Sequence, residues 1–249
     1  MSGGDPSMYQ RHPELSRYTD AGRYENPKED FKTIADRLAD LADPDRRHTV
    51  ADIGCGNGEL LYLLRRRFPA WRLTGFDHTA EFVEKARGFP GLEGVEFHRA
   101  DLFDIEGSYD IVIATCFLSL FREIEAPLAK LMALCRPGGL VLATGLFNPF
   151  DIEVRVEFCD NSRPETRGRW RSDFNRHSQR GIRERLSAEA DSVAFEPCSY
   201  DIDLASDPEH PIRVWSVRDE DGGTWLMNGA WQIANQTLMV VRKREAESS

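Results

Sequence analysis

The sequence predicts an α/β fold, a parallel sheet covered by helices on both faces, and three observations carry that reading. Apolar runs of strand length alternate with amphipathic segments of helix length between residues 49 and 147. The first run, Thr49–Ile53, ends in a glycine turn, Gly54-Cys55-Gly56-Asn57-Gly58, and a helical pattern begins at once with Glu59. The second run ends in an acid, Asp77, nineteen residues after Gly58.

The elements follow in order. Asn26-Pro27 opens a helix carrying Phe31, Ile34, Leu38 and Leu41, which ends near Asp43-Pro44. Strand Thr49–Ile53 leads to a helix over 58–68, with Leu60, Leu61, Leu64 and Phe68 at helical spacing, stopped by Pro69. A strand at 72–76 precedes a helix at 79–87, and a strand at 95–99 precedes the apolar strand 110–114. A helix over 124–135 and the turn Arg136-Pro137-Gly138-Gly139 then deliver a strand at 140–146. Beyond Asn148-Pro149 the rhythm breaks. A helix is expected at 182–190, with strands at 193–204, 212–217, Thr224–Met227 and 237–242, and the cluster Asp219-Glu220-Asp221-Gly222-Gly223 reads as a hairpin turn. The implied organisation is an N-terminal arm and helix (1–45), a nucleotide-binding core (46–147), a helical lid or insertion (148–192) and C-terminal strands with an added hairpin (193–249).

Composition narrows the function. At 249 residues and 41% hydrophobic the chain suits one large α/β domain carrying an insertion. No apolar stretch approaches a membrane span, and residues 1–18 lack the apolar centre of a signal peptide, so a cytoplasmic location is expected. Five dispersed cysteines without CxxC spacing point to free thiols rather than disulfides or zinc. A net charge of −10 argues against a general nucleic-acid binder. Against that acidity, eight arginines (163, 167, 169, 171, 176, 180, 183 and 185) meet only Glu165, Asp173 and Glu184. Inward-facing guanidiniums would select a carboxylate or phosphate, whereas a solvated face would merely balance charge.

The glycine turn is suited to a nucleotide, because glycine lets backbone amides approach a ligand at a helix N-terminus. Its spacing is GxGxG rather than the GxGxxG of dinucleotide sites, and Asp52 precedes it. An acid there disfavours a pyrophosphate and complements the ammonium of a methionine moiety, which points to S-adenosylmethionine. Asp77 is placed to accept from the ribose hydroxyls, Asp101 from an adenine amine, and Leu102 to contact the ring. Read alone, Asp77 and Asp101 are also good helix N-caps, and Asp110 reads as structural.

Taken together, residues 52–58, Asp77, Asp101, residues 109–114 and residues 136–139 resemble the successive motifs of class I S-adenosylmethionine-dependent methyltransferases, over roughly residues 46–147. The resemblance implies a doubly wound seven-stranded, mostly parallel, Rossmann-like sheet whose antiparallel last strand (237–242) lies between the fifth and the sixth (193–204), with residues 212–227 an added hairpin. It implies that Asp52, Gly54, Cys55, Gly56 and Gly58 line the methionine end of the cofactor. Asp77 would hold the ribose, Asp101 and Leu102 the adenine, and Thr115 and Phe117 the sulfonium side, with His78 a further cofactor-binding residue.

Methyl transfer from a sulfonium is an in-line displacement, and the protein needs a base only if the acceptor must lose a proton. His177 is the base candidate by its ordinary pKa, against a surface histidine among arginines. Asn148 either orients an acceptor or caps the turn before Pro149, and Thr115 faces the reacting methyl. Tyr9, Tyr18 and Tyr24 could form a lid, and Tyr18, Arg155, Arg169 and Arg171 are the acceptor-binding candidates. No metal is expected, since Asp151 is the one acid near residues 114–116 and 145–148. An Asn/Asp-Pro-Pro-aromatic device of amino-methylating nucleic-acid enzymes is absent after the fourth strand, which reads Thr115-Cys116-Phe117-Leu118. The sequence thus points to methylation of a small, anionic or neutral molecule at a hydroxyl or carboxyl oxygen, with nitrogen open. The rivals are RNA or protein methylation, a non-catalytic cofactor-binding protein and a nicotinamide dehydrogenase.

Overall fold

A computed structural model describes residues 22–162, 164–207, 213–230 and 232–246. A short helix α1 (Gly22–Glu25) and helix α2 (Glu29–Leu41) precede the alternating units β1 (Thr49–Ile53), α3 (Glu59–Arg67), β2 (Arg72–Asp77), α4 (Ala80–Arg87), β3 (Glu96–Arg99) and β4 (Tyr109–Thr115). Helix α5 (Glu125–Leu134) leads into β5 (Cys135–Gly145). The insertion holds the short strands β6 (Phe147–Asn148), β7 (Glu157–Cys159), β8 (Trp170–Ser172) and β9 (His177–Ser178), then α6 (Gln179–Leu186). Strand β10 (Ala190–Pro197), the hairpin β11 (Trp215–Arg218) and β12 (Thr224–Met227), and β13 (Thr237–Lys243) complete the chain.

Seven strands form one sheet in the order β10-β13-β5-β4-β1-β2-β3. All pair in parallel except β13, which runs antiparallel to both β5 and β10. The expected insertion of the last strand between the fifth and sixth is therefore present.

The two-residue period of the strands builds two cores. Val50, Ile111, Ile113, Leu140, Leu142, Leu238 and Val240 face α2, α3 and α4 through Ile34, Leu38, Leu61, Leu64 and Val83. The alternate residues Ala51, Ile53, Val112, Ala114, Val141, Ala143, Met239 and Val241 face α5 and α6 through Leu128, Leu131, Met132, Ile182 and Leu186. Helix α6 is thus a covering helix of the sheet, not the expected lid, because its apolar side is consumed by this second core: Ile182 and Leu186 are 0% and 3% exposed.

Three further expectations are corrected. Residues 136–139 are a bulge within β5 rather than a turn before it: Tyr109 pairs with Cys135 but Ile111 with Leu140, and Gly138 takes φ +72° to rejoin the ladder. The helix expected at 182–190 lies at 179–186, since Ser178 caps it by accepting from Gly181 N at 3.0 Å. The strand expected at 193–204 is β10, shifted to Ala190–Pro197 and bounded by Pro197, the last residue that pairs with β13. The hairpin expected at 212–227 is β11–β12, with Ile212 outside the described residues.

Asp110 is structural, as its sequence position suggested. Its Oδ2 accepts from Thr49 N at 2.7 Å and Thr49 Oγ1 at 2.8 Å, and its Oδ1 from Arg136 at 2.9 Å, tying the starts of β1, β4 and β5 together. Partial burial alone would raise this carboxyl, but the Thr49 donors and Arg136 hold it below the usual range. Asp110→Ala is expected to lower the unfolding free energy by about 1–3 kcal/mol, read by urea denaturation; an unchanged midpoint would remove this anchor from the account of the fold.

Candidate active site

The site is built where β1, β2, β3 and β4 end. The chain leaves β1 with Asp52 and Ile53 buried, and the turn that follows is pinned to β2 by two bonds: Gly54 N and Cys55 N donate to Phe76 O at 2.8 and 3.0 Å. Gly54 and Gly58 adopt φ +74° and +83°. A Cβ on Gly54 would stand 2.9 Å from Phe117 Cδ2, and one on Gly58 2.9 Å from Phe97 Cζ. Gly56, at φ +53°, differs: nothing lies within 4 Å of where its Cβ would be, so this part of the loop opens outward.

Asp77, at the end of β2, fixes that loop. Its Oδ2 accepts from Gly56 N at 2.9 Å and its Oδ1 from Thr79 N at 2.8 Å. Asp101 accepts from Phe103 N at 3.0 Å and caps the 3-10 turn Leu102–Asp104, so the capping role and the wall of the site coexist in one residue. A shallow cavity is lined by Gly54, Asp77, His78, Asp101, Leu102 and Phe117 over an apolar floor that includes Phe76 and Ile105. These six residues, from the four separated loops after β1, β2, β3 and β4, are among those the sequence singled out for the cofactor.

Asp52 lies deeper, 1% exposed, and its Oδ1 meets no donor; Asn57 Oδ1, in the loop, is orphaned in the same way. Burial, and secondly the charge of Asp77, push the Asp52 carboxyl up to about 7. The N-terminal segment reaches this point through Tyr24, whose hydroxyl donates to Asn57 O at 2.7 Å while its ring stacks on Phe89 at 3.5 Å. Burial chiefly, with Glu59 next, pushes the Tyr24 phenol up to about 12.

Other candidates are placed differently. Cys55 turns its thiol into the core, against the bare Cα of Gly75, where a Cβ would be 2.8 Å from Sγ; only its backbone borders the loop. Thr115 ends β4, paired in register with Thr144. Cys116 follows at φ +53°, its amide bonded to Thr144 O at 2.9 Å and its sulfur accepting from Gln236 Nε2 at 2.7 Å. A non-glycine residue held there stores strain of the kind found at ligand sites.

His177 is corrected as the base and as a surface residue. It is 1% exposed, with Nδ1 2.9 Å from Glu153 Oε2 and Nε2 3.1 Å from Phe121 O, so neither ring nitrogen is free to reach an acceptor. Asn148 caps its turn: Nδ2 donates to Ile152 O at 2.9 Å and Oδ1 accepts from Phe150 N at 3.1 Å. The arginines disperse instead of converging. Arg155 pairs with Glu123, Arg180 with Glu184, and Arg185 with Glu125. Arg183 lies over Phe195, and Arg171 over Phe158 with its buried Nε unpartnered. Arg169 is exposed, its amide closing a turn onto Thr166 O at 3.1 Å. Tyr9, Tyr18 and Arg163 lie outside the described residues. Among the described residues no group of three His, Cys, Asp or Glu could hold a metal, and no helix is long and apolar enough to cross a membrane.

The sequence reading passed over Asp30 and Gln236. Asp30 is 3% exposed at the start of α2 with Oδ2 unpartnered, and Gln236 precedes β13 with Oε1 unpartnered. A charge beside Phe31 on a helical face was the one available signal for the first; for the second there was none.

Residues 51–141 match the family model described as "Methyltransferase domain". The trans-aconitate 2-methyltransferase of Acidovorax sp. (strain JS42) is 32% identical over 143 residues, 57% of this chain and 49% of that protein, so the match spans about half of that relative. Among solved structures, a chain of the complex between the Haloferax volcanii Trm112 methyltransferase activator and the putative methyltransferase superposes with a TM-score of 0.65 at 19% identity, over 98% of this chain and 100% of that one. The N-methyltransferase NodS from Bradyrhizobium japonicum WM9, in complex with S-adenosyl-L-homocysteine, gives 0.55 at 13% identity over 96% and 100%. These two share the fold.

The raised Asp52 carboxyl makes a signed prediction. Its pKa is higher folded than unfolded, so the folded state holds an extra proton between the ordinary aspartate range and about 7. The ligand-free protein should therefore lose stability as pH rises towards 7, and Asp52→Asn should flatten that loss. Urea denaturation at pH 5 and pH 8 of both proteins checks it; parallel pH dependences would assign the proton elsewhere.

Proposed function

We propose that this chain, whose residues 51–141 carry a methyltransferase domain on a class I fold, is an S-adenosylmethionine-dependent methyltransferase acting on an oxygen of a small molecule. One observation carries the reading: the glycine loop, Asp77 and Asp101 converge on one cavity beside a buried, donor-less Asp52.

In this reading Asp52 and Asn57 Oδ1 receive the donor's ammonium. Asp77 takes the ribose hydroxyls with the oxygens it now shares with Gly56 and Thr79, while Asp101 and Leu102 hold the adenine against the apolar floor. Thr115, Cys116 and Phe117 form the side at which the methyl is presented. The bound donor supplies an already activated electrophile, so the protein's work is alignment and exclusion of water. A carboxylate oxygen has no proton to lose, and a site in which His177 is tied into the fold suits such an acceptor. A small carboxylic acid is accordingly the first acceptor class to test, in line with the trans-aconitate named for the Acidovorax relative. Within this proposal Arg171, half-buried with an unpartnered Nε, is a better anion contact than the exposed Arg169 or the paired Arg155. Five free cysteines among the described residues accord with a cytoplasmic location.

S-adenosylhomocysteine is expected to raise the melting temperature, and NAD to leave it unchanged. Asp77→Ala should weaken S-adenosylhomocysteine binding by about 1–3 kcal/mol, measured calorimetrically. Unaltered affinity in that variant would remove Asp77 from the ribose, and stabilisation by NAD alone would revive the dehydrogenase reading.

A further inference from the structure

A second, open-sided groove of about 390 Å³ lies over the other half of the sheet, within the size range of small-molecule clefts. One wall is the chain leaving β10, with Ser199, Tyr200 and Asp201, and the other is the hairpin β11–β12, with Arg218 and Thr224. Leu204 and Ser216 join the two walls: Ser216 N donates to Leu204 O at 3.0 Å and Leu204 N to Ser216 Oγ at 2.8 Å. Asn235 ties the hairpin to the approach of β13, donating to Thr224 O at 2.9 Å and accepting from Leu226 N at 2.7 Å.

Strand register connects this groove to the donor cavity. Pro197 pairs with Thr237, and Thr237 with Gly145. Cys198 N donates to Gln236 O at 3.0 Å, and Cys116 N to Thr144 O at 2.9 Å. Cys198, Gln236 and Cys116 therefore stand in a row across the ends of β10, β13, β5 and β4. Gln236 is the link between the two sites: its backbone N donates to the Tyr200 hydroxyl at 3.3 Å, and its Nε2 to Cys116 Sγ at 2.7 Å. Phe117, the next residue, lines the donor cavity.

The chemistry of the groove favours an anion. Tyr200, Ser199 and Thr224 bring hydroxyls, and Arg218 brings a guanidinium fork that matches a carboxylate. Asp201 is the opposing charge, but its contact with Arg218 is 3.5 Å long, with side chains 96% and 51% exposed, so the pair is weak. Asp219 is spent on its own turn, accepting from Gly223 N at 2.6 Å, Asp221 N at 3.1 Å and Trp225 Nε1 at 2.8 Å.

We propose that this groove is the acceptor site, in which Arg218 and the Tyr200 hydroxyl anchor one carboxylate of a small polyacid while another reaches past Gln236 to the methyl. The inference rests on the donor assignment above and deepens it. In the transfer the sulfur–methyl bond breaks with its electron pair left on sulfur, and a lone pair of the second carboxylate forms the new carbon–oxygen bond. No proton moves. The product is an ester with one negative charge fewer, and the anchored carboxylate is unchanged. A monoacid cannot occupy both positions, so the groove selects for a second acidic group.

Steady-state methyl transfer by the full chain to glutarate, adipate and tricarballylate, with butyrate beside them, tests this. At least one polyacid should be esterified, and butyrate at least about tenfold less well by kcat/KM. Arg218→Gln should raise the polyacid KM about tenfold or more, while kcat and S-adenosylhomocysteine affinity stay within about threefold of the wild type. Asp201→Asn, which removes the competing carboxylate, should lower KM, a direction that damage to the fold would not produce. An unchanged KM in Arg218→Gln, or a loss confined to kcat, overturns the proposal. So does a KM rise in Arg171→Gln with none in Arg218→Gln, which would move the acid to the β7–β8 hairpin. No transfer to any polyacid by a protein that binds S-adenosylhomocysteine also overturns it. Failure of S-adenosylhomocysteine to bind the wild type would instead strike the donor assignment.

Discussion

One hydrogen bond, from Gly56 N to Asp77 Oδ2 at 2.9 Å, sets most of the geometry of this site. It joins the only outward-opening part of the glycine loop to the end of the neighbouring strand, and the same carboxylate steers the chain towards α4 through Thr79 N. The start of the loop is held separately, by Gly54 N and Cys55 N on Phe76 O, so this bond fixes the middle of the loop. The bond also places a second negative charge near Asp52. The pair is stable as it stands because Asp52 can remain protonated near neutral pH. Position and electrostatics therefore come from a single contact.

Around that contact the protein is sharply divided. The residues that hold the cavity sit on short, rigid connections between strands, each braced by backbone bonds. Parts of the long insertion after β5 serve a different purpose: α6 closes the second hydrophobic core through Ile182 and Leu186, His177 binds back to Phe121, and Asn175 to Ser119 and Phe121. Histidine and asparagine, residues that often signal chemistry, are spent there on holding an irregular segment to the sheet. Buried polar groups in loops need partners, and these supply them.

The strand–helix alternation and the glycine loop were legible because period-two and helical spacing, and the need for positive φ, leave direct marks on the sequence. Asp52, Asp77, Asp101 and Leu102 were legible for the same reason, each sitting at a strand end beside a turn. His177 was misread because its ordinary pKa says nothing of burial, and Glu153 and Phe121, which hold its ring, are 24 and 56 residues away. The arginines clustered in sequence but not in space, since residues 164–185 hold β8, paired with β7, β9, paired with β6, and the helix α6 rather than one continuous face. Asp30 and Gln236 escaped notice because what distinguishes them is the absence of a partner, which only the folded arrangement reveals.

The position of β13 between β10 and β5 has a consequence for biosynthesis. The hydrogen-bonding edge of β5 that β13 occupies stays open until residues 237–243 have left the ribosome, almost a hundred residues after β5 itself. During that interval an apolar strand with unpaired amides is exposed to other chains. The nascent protein should therefore lean on chaperones that shield strand edges, and truncations ahead of β13 should yield aggregates rather than a smaller working domain.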